Sequence, residues 1–182
     1  MIKHVLIIGG TGMLREMSSW MIKQADKTML IGRNKEKLEQ TVPGGYEHKV
    51  HYQFIDYRDS LKLQEGIQHA LEVHGAFDYV IAWIHSSAPK ALPVIFNELN
   101  HLEEKWRLFH IKGSSTNVNA IKQKIEIPKN CLYRDVQLGF KIEENRSRWL
   151  THHEISRGVI EAINLDREKT IVGVLEPWER RP

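Results

Sequence analysis

The sequence predicts an α/β fold, a Rossmann-like doubly wound parallel sheet of about seven strands with helices on both faces. Its opening stretch, residues 4–17, reads as a buried strand, a glycine-rich turn and the start of a helix in immediate succession. Apolar runs then alternate with helical patterns along the rest of the chain. Residues 78–84 are almost continuously apolar, which is typical of a parallel strand covered on both faces.

Each element follows from its local pattern, and together they predict one domain over residues 1–182. The predicted strands cover about 2–8, 27–31, 49–55, 78–84, 105–111, 130–138 and 170–175. The predicted helices cover about 12–24, a short stretch ending at Gln40, 60–74, 89–99 and 116–124, with a last helix after Thr151. Thr151 and Glu154 have capping-box spacing, and Asn34 and Asp59 are predicted helix caps.

Composition excludes several classes of protein. Hydrophobic residues make up 41% and charged residues 27%, as in ordinary globular domains. The net charge of +3 is spread along the chain, so no nucleic-acid partner is expected. No apolar run has the length of a membrane span, and the first residues lack a signal-peptide layout. Cys131 is the single cysteine, which excludes an internal disulfide, so the expected location is cytoplasmic.

The glycine-rich turn predicts an anion site. Gly9 suits a tight turn, and Gly12 lets a pyrophosphate approach the backbone closely. The turn leaves backbone N–H groups bare at the start of a helix, where the helix dipole favours an anion. A simple connecting turn is the alternative, but the position between the first strand and the first helix favours a dinucleotide.

Polar residues at the ends of the next two strands refine this prediction. Arg33 follows strand two, where an acidic residue would select NAD, so we expect NADP as the cofactor. A solvated surface arginine is the other interpretation. Asp56 follows strand three and could accept a hydrogen bond from the adenine amino group. Its alternative role is a helix cap, which Asp59 already supplies.

Several short segments together resemble the short-chain dehydrogenase/reductase family. They are GGTGML at 9–14, GRNKEKL at 32–38, DYRD at 56–59, FDYVIAW at 77–83 and GSS at 113–115. The resemblance covers nearly the whole chain in the order of its elements. It implies an NADP-binding oxidoreductase-like domain and a homodimer, with Ser114 or Ser115 orienting a substrate carbonyl. The cofactor-binding positions it implies are Gly9, Gly10, Thr11, Gly12, Met13, Leu14, Arg15, Arg33, Asn34, Asp56, Tyr57, Ala82 and Trp83.

The sequence departs from the family at important positions. Arg15 replaces the family's third glycine, so we expect a locally different turn, with Arg15 on the cofactor phosphates or facing solvent. The family's Tyr-x-x-x-Lys pair, which protonates the substrate, is absent, because no tyrosine here has a lysine four residues later. The helix that carries the pair is also predicted to be shortened.

Two functional hypotheses follow. In the first, the chain is an NADP-dependent oxidoreductase whose proton donor has been replaced, with His85 as the candidate because imidazole titrates near neutrality. In the second, it binds NADP without turnover, as a sensor or regulator. A metal site at residues 152–154 is disfavoured, because adjacent helical positions point in different directions. The Pro177-Trp178 tail is expected to pack on its own core or on a neighbouring subunit.

Overall fold

The computed structural model, which describes residues 1–114, 126–144 and 146–182, contains one large parallel sheet. Its seven strands have the order β3-β2-β1-β4-β5-β6-β9, and all neighbours run parallel. The strands are β1 Ile2–Ile8, β2 Ala25–Ile31, β3 Val50–Gln53, β4 Tyr79–Trp83, β5 Trp106–Lys112, β6 Cys131–Leu138 and β9 Lys169–Val172. This arrangement confirms the predicted doubly wound fold.

Helices cover both faces of the sheet, because each strand alternates apolar side chains between two core layers. The described helices are α1 Arg15–Gln24, α2 Lys35–Glu39, α3 Ser60–His74, α4 Ala91–Leu99 and α5 His152–Leu165. Single turns of 3-10 helix occur at Glu47–Lys49 and Trp178–Arg180. One core layer lies under α1 and α5, and the other lies under α3 and α4.

Local capping signals in the sequence are realised in the structure. Asn34 accepts a hydrogen bond from the Lys37 backbone N–H, and Asp59 accepts one from that of Lys62. Thr151 and Glu154 form a complete capping box at the start of α5. These caps fix where α2, α3 and α5 begin, and therefore fix the loops at the carboxyl ends of the strands before them.

Two helix starts differ from the prediction, and one element was not predicted. The glycine-rich turn extends to Leu14, so α1 begins at Arg15 and not at Gly12. Helix α4 begins at Ala91, two residues after Pro89. An antiparallel hairpin, β7 Phe140–Glu143 with β8 Arg146–Trp149, follows β6 directly and forms a second, two-stranded sheet. The short helix predicted over 116–124 lies outside the described residues.

Each helix in the described part of the chain is too short or too polar to cross a bilayer.

Candidate functional site

The glycine-rich turn after β1 is tightly packed on one side and open on the other. Gly9 has a φ of +74°, and a Cβ there would lie 2.4 Å from the Trp83 carbonyl oxygen. A Cβ at Gly10 would lie 2.3 Å from the Ser18 hydroxyl, which donates to the Gly10 carbonyl. A Cβ at Gly12 would meet nothing within 4 Å. The absence of side chains at Gly9 and Gly10 therefore lets the turn pack closely against Trp83 and Ser18. Gly12, in contrast, faces free space.

The start of α1 is chemically suited to an anion. Leu14 occupies the cap position and provides no side-chain hydrogen bond to the first turn of the helix. These N–H groups therefore have no side-chain cap, and the helix dipole adds positive potential at the same place. A pyrophosphate group fits this end of the turn, since Gly12 leaves room for it.

Arg15 lies beside the turn without filling it. Its guanidinium donates to the Gln40 carbonyl at 2.6 Å, across from the end of α2. No Arg15 atom comes within 4 Å of the Cβ position at Gly12. In this conformation Arg15 therefore ties α1 to the end of α2 and leaves the space in front of Gly12 open.

A cluster of two cations and one carboxylate follows β2 and β3. Arg58 donates to both oxygens of Asp56, and the Arg33 guanidinium lies 3.7 Å from the same carboxylate. The hydrogen bonds from Arg58 lower the pKa of Asp56 to about 2, so Asp56 is ionised at neutral pH. The Arg33 side chain is 68% exposed. Arg33 therefore keeps most of its donors in solvent, whereas Asp56 is already paired.

A small cavity lies at the carboxyl ends of β4, β5 and β6. Its volume is about 210 Å³, and its walls come from the strand ends, the hairpin, α5 and the tail. Trp83 and Ser114 lie on it, so Trp83 contacts both the glycine turn and this cavity. The lining residues are Trp83, Gly113, Ser114, Leu138, Gly139, Trp149, Leu150, Ile155 and Arg181.

Comparisons with known proteins address the fold. No protein-family model matches the sequence, and no curated protein does. Among solved structures, the NADPH-dependent reductase YwfH, involved in bacilysin biosynthesis, aligns with a TM-score of 0.72 and 13% identity, over 95% of this chain and 99% of that one. An alcohol dehydrogenase from Thermococcus sibiricus, complexed with 5-hydroxy-NADP, aligns with a TM-score of 0.69 and 13% identity, over 94% of this chain and 96% of that one. A mutant short-chain dehydrogenase/reductase from Serratia marcescens aligns with a TM-score of 0.70 and 13% identity, over 94% of this chain and 97% of that one.

The chain has a short-chain dehydrogenase/reductase fold. At these identities the alignments establish the fold alone, and the resemblance in the sequence motifs is confirmed at that level. Within this fold, the glycine turn, the Arg33 cluster and the cavity lie along one edge of the sheet. The carboxyl ends of parallel strands are where ligands bind in such sheets.

His85 lies in the loop after β4 of the short-chain dehydrogenase/reductase fold, and its side chain is exposed. Its Nδ1 accepts a hydrogen bond from the Ser87 backbone N–H at 3.1 Å. The neutral ring therefore carries its proton on Nε2. The Tyr57 hydroxyl accepts a long hydrogen bond, 3.4 Å, from the His85 backbone N–H. Within the described ranges, no hydrogen bond joins His85 to Ser114, and His85 does not line the cavity.

The remaining predicted positions lie around the same edge. Thr11 and Met13 are half-buried in the turn, and the Met13 carbonyl accepts a hydrogen bond from Ser156 of α5. Ala82 is buried beside the turn at the end of β4. Asn34 is exposed and caps α2. Ser115 lies outside the described residues, so the structure gives no position for it.

A tyrosine and a lysine do come close together, but in a buried network. Lys112 of β5 pairs with Asp135 of β6 at 2.5 Å, and both side chains are almost fully buried. The Lys112 ammonium lies 5.7 Å from the centre of the Tyr133 ring, and the Tyr133 hydroxyl lies 2.7 Å from His110 Nδ1. Burial raises the pKa of Tyr133, which makes it a weaker acid. This pair therefore does not reproduce the proton donor of the short-chain dehydrogenase/reductase family.

The tail packs on its own chain. The Trp178 ring is about half-exposed and lies 4.7 Å from the guanidinium carbon of Arg181. Arg180 donates to the Glu144 carbonyl in the turn of the hairpin. Phe140 and Val174 exchange two backbone hydrogen bonds, at 2.9 and 3.0 Å. The tail and the hairpin are therefore joined, and both contribute walls to the cavity.

The histidine pair at the start of α5 has a structural role. His153 pairs with Glu16 of α1 at 2.7 Å, and Glu154 is held by Arg148, Lys141 and the capping box. In the part of the chain that the structure describes, no three metal-ligating side chains cluster.

Sequence reasoning missed three features of the site. Arg58 is in the DYRD segment, and a signal for its pairing with Asp56 was present in their spacing. The buried pair of Lys112 and Asp135 joins two strands and had no local signal. Arg181, near the end of the chain, reaches the cavity only because the tail folds back against Phe140.

Proposed function

We propose that this chain binds NADP(H) and acts as an oxidoreductase on a small carbonyl or alcohol compound. The observation that carries this proposal is the free space in front of Gly12, at an uncapped helix start and on the same sheet edge as the exposed Arg33. NADP-linked proteins occur among the structural neighbours, according to their descriptions.

Each residue has a defined part in this proposal. The Gly12 turn and the start of α1 bind the pyrophosphate, and Arg33 binds the 2′-phosphate through donors that remain in solvent. Asp56 accepts from the adenine amino group, since a carboxylate has lone pairs beyond those that Arg58 uses. Ser114 orients the substrate oxygen in the cavity. A bound NADPH would supply the hydride to the carbonyl carbon.

The first experiment is calorimetric titration with NADPH and NADH of the wild-type protein and of two matched glycine variants. Gly12→Val places a side chain where the pyrophosphate would lie. Gly44→Val is the control, because a Cβ at Gly44 also meets nothing within 4 Å. Gly44 is far in sequence from the glycine-rich turn after β1. We expect Gly12→Val to weaken NADPH binding at least thirtyfold, about 2 kcal/mol, with the free energy of unfolding unchanged. Gly44→Val should bind like the wild type.

Equal NADPH affinity in the wild type and in Gly12→Val would contradict the proposal, as would a wild-type protein that binds neither nucleotide. A turnover assay then separates the two hypotheses about chemistry. Protein-dependent NADPH oxidation across a panel of carbonyl compounds supports the oxidoreductase. Tight NADPH binding without any oxidation favours a sensor that binds the nucleotide and does not turn it over.

A further inference from the structure

Arg181 is held between two indole rings. Its guanidinium carbon lies 5.0 Å from the Trp149 ring and 4.7 Å from the Trp178 ring. Trp149 ends strand β8 of the hairpin, and Trp178 begins the 3-10 turn of the tail. Cation–π contacts of this kind attract the guanidinium without using its N–H donors. The guanidinium is therefore held while its donors stay free for another group.

The other arginines around this edge have protein acceptors. Arg148 pairs with Glu143 and Glu154, and Arg180 donates to the Glu144 carbonyl. Within residues 1–114, 126–144 and 146–182, no carboxylate pairs with Arg181. Its Nε is buried and has no hydrogen-bond partner in those ranges. A buried donor without an acceptor costs free energy. Because solvent does not reach Nε, a ligand in the cavity would meet the two terminal nitrogens of the guanidinium.

Arg181 also lies on the wall of the cavity at the ends of β4, β5 and β6. Most of the other walls are apolar, including Trp83, Leu138 and Leu150, and Ser114 supplies a hydroxyl. A charge-assisted hydrogen bond is stronger in such surroundings than in water. The cavity is open to solvent and has a volume of about 210 Å³, which a ligand of a few carbon atoms would fill.

We propose that Arg181 binds the carboxylate of the substrate, and that the substrate class is short oxo acids and their hydroxy-acid products. This inference rests on the proposed oxidoreductase function. The planar fork of a guanidinium matches a carboxylate through two parallel hydrogen bonds. In the reaction, the carbonyl carbon gains a hydride, its oxygen gains a proton from solvent or a nearby acid, and NADPH is oxidised to NADP⁺.

The test is a titration with matched pairs of acids and amides. The acids are 2-oxobutanoate, acetoacetate and levulinate, which place the oxo group at three different distances from the carboxylate. The corresponding amides have nearly the same shape and no charge. Each is titrated calorimetrically into the protein with and without saturating NADP⁺. The variants are Arg181→Gln, Arg181→Lys and Arg180→Gln, of which the last removes a neighbouring charge that does not line the cavity.

We expect at least one acid to bind the wild type tenfold or more tightly than its amide. This preference should fall below twofold in Arg181→Gln, fall partly in Arg181→Lys, and persist in Arg180→Gln. In the wild type, the bound acid should shift the indole N–H resonances of Trp149 and Trp178 in the nuclear magnetic resonance spectrum. This second measurement keeps the test decisive if Arg181→Gln does not fold.

Three results would overturn the inference: equal binding of acid and amide, a preference that survives in Arg181→Gln, or no binding of any acid. A failure of the proposed function would give a different result from a failure of this inference. Acid binding at Arg181 in a protein that does not bind NADPH would leave an anion site without the oxidoreductase. NADPH binding without any acid preference would leave the oxidoreductase and remove this substrate class.

Discussion

The carboxyl ends of β1, β2 and β3 are open and carry exposed charge, whereas the ends of β4, β5 and β6 are covered and carry buried charge. We call these the open side and the covered side. On the open side, Arg33 is 68% exposed and Gly12 faces free space. On the covered side, the side chains of Lys112 and Asp135 are 3% and 2% exposed. Charge on the open side is available to a ligand, and charge on the covered side is largely committed to the fold.

The largest expected effect is on the covered side. Lys112→Met leaves the Asp135 carboxylate buried without its main cation, and we expect the free energy of unfolding to fall by about 3–5 kcal/mol. Lys35→Met is the matched control, because its pair with Glu39 is exposed, and there we expect a loss of about 0.5 kcal/mol or less. Urea unfolding followed by circular dichroism measures both. A loss below 1 kcal/mol in Lys112→Met would mean that the pair does not hold the covered side together.

Acid should lower stability through two buried histidines, one in β1 and one in β5. Burial lowers the pKa of His4 in β1 to about 4 and that of His110 in β5 to about 3, from an ordinary value of 6.5. At a pH between the folded-state pKa and 6.5, the unfolded chain binds more protons than the folded chain. The free energy of unfolding therefore falls as the pH falls below 6.5. From pH 7.5 to pH 5, each histidine is expected to remove about 2 kcal/mol. Above about pH 8 both histidines are neutral in the folded and in the unfolded chain, and they contribute almost no slope.

Urea unfolding at pH 7.5 and pH 5 checks this expectation with the variants His4→Asn and His110→Asn. Each amide nitrogen can replace the Nδ1 contact, to the Gly75 carbonyl or to the Tyr133 hydroxyl. Each variant should lose about half of the combined pH dependence. If His4→Asn keeps the full dependence, the burial of His4 does not make the protein less stable in acid. The titratable neighbours of His4 are His74, His51 and Asp78.

The comparison between the two sides also shows what sequence can reveal. The open side was predicted because its parts are local: Gly9 to Gly12 lie within four residues, and Arg33 directly follows a strand. The covered side joins residues from distant segments, such as Trp83, Ser114 and Trp149, which only the folded chain brings together. The capping box of Thr151 and Glu154 was also predictable, because its residues lie close together in the sequence.

The hairpin was missed because its strands are too short to produce a reliable pattern. β7 alternates in the four residues of Phe140–Glu143, but β8 is Arg-Ser-Arg-Trp, which reads as a polar loop. In the folded chain, Phe140 is completely buried, and Arg148 forms salt bridges with Glu143 and Glu154. The pair of Lys112 and Asp135 was also beyond prediction, since it depends on the register between β5 and β6.

The smallest expected effect is on nucleotide choice at the open side. Arg33→Ala should weaken NADPH binding at least tenfold, about 1.4 kcal/mol, and leave NADH binding unchanged, because only NADPH carries the 2′-phosphate. The free energy of unfolding should change by less than about 0.5 kcal/mol, since Arg33 is exposed. Calorimetric titration with both nucleotides measures the ratio, and Lys35→Ala controls for the loss of one nearby charge. An equal loss for NADH would assign Arg33 to a general electrostatic role.

The position of β1 in the sheet has a consequence for how the chain is made. β1 leaves the ribosome before both of its neighbours in the sheet, β2 and β4, and Val5 pairs with Tyr79 across a separation of more than seventy residues. While synthesis proceeds, one edge of β1 stays without its partner until residues 79–83 have emerged. Val5, Leu6, Ile7 and Ile8 are completely buried in the finished fold, so the nascent chain exposes an apolar strand edge throughout that interval. Slow translation between β3 and β4 would lengthen this exposure and favour chaperone binding or aggregation.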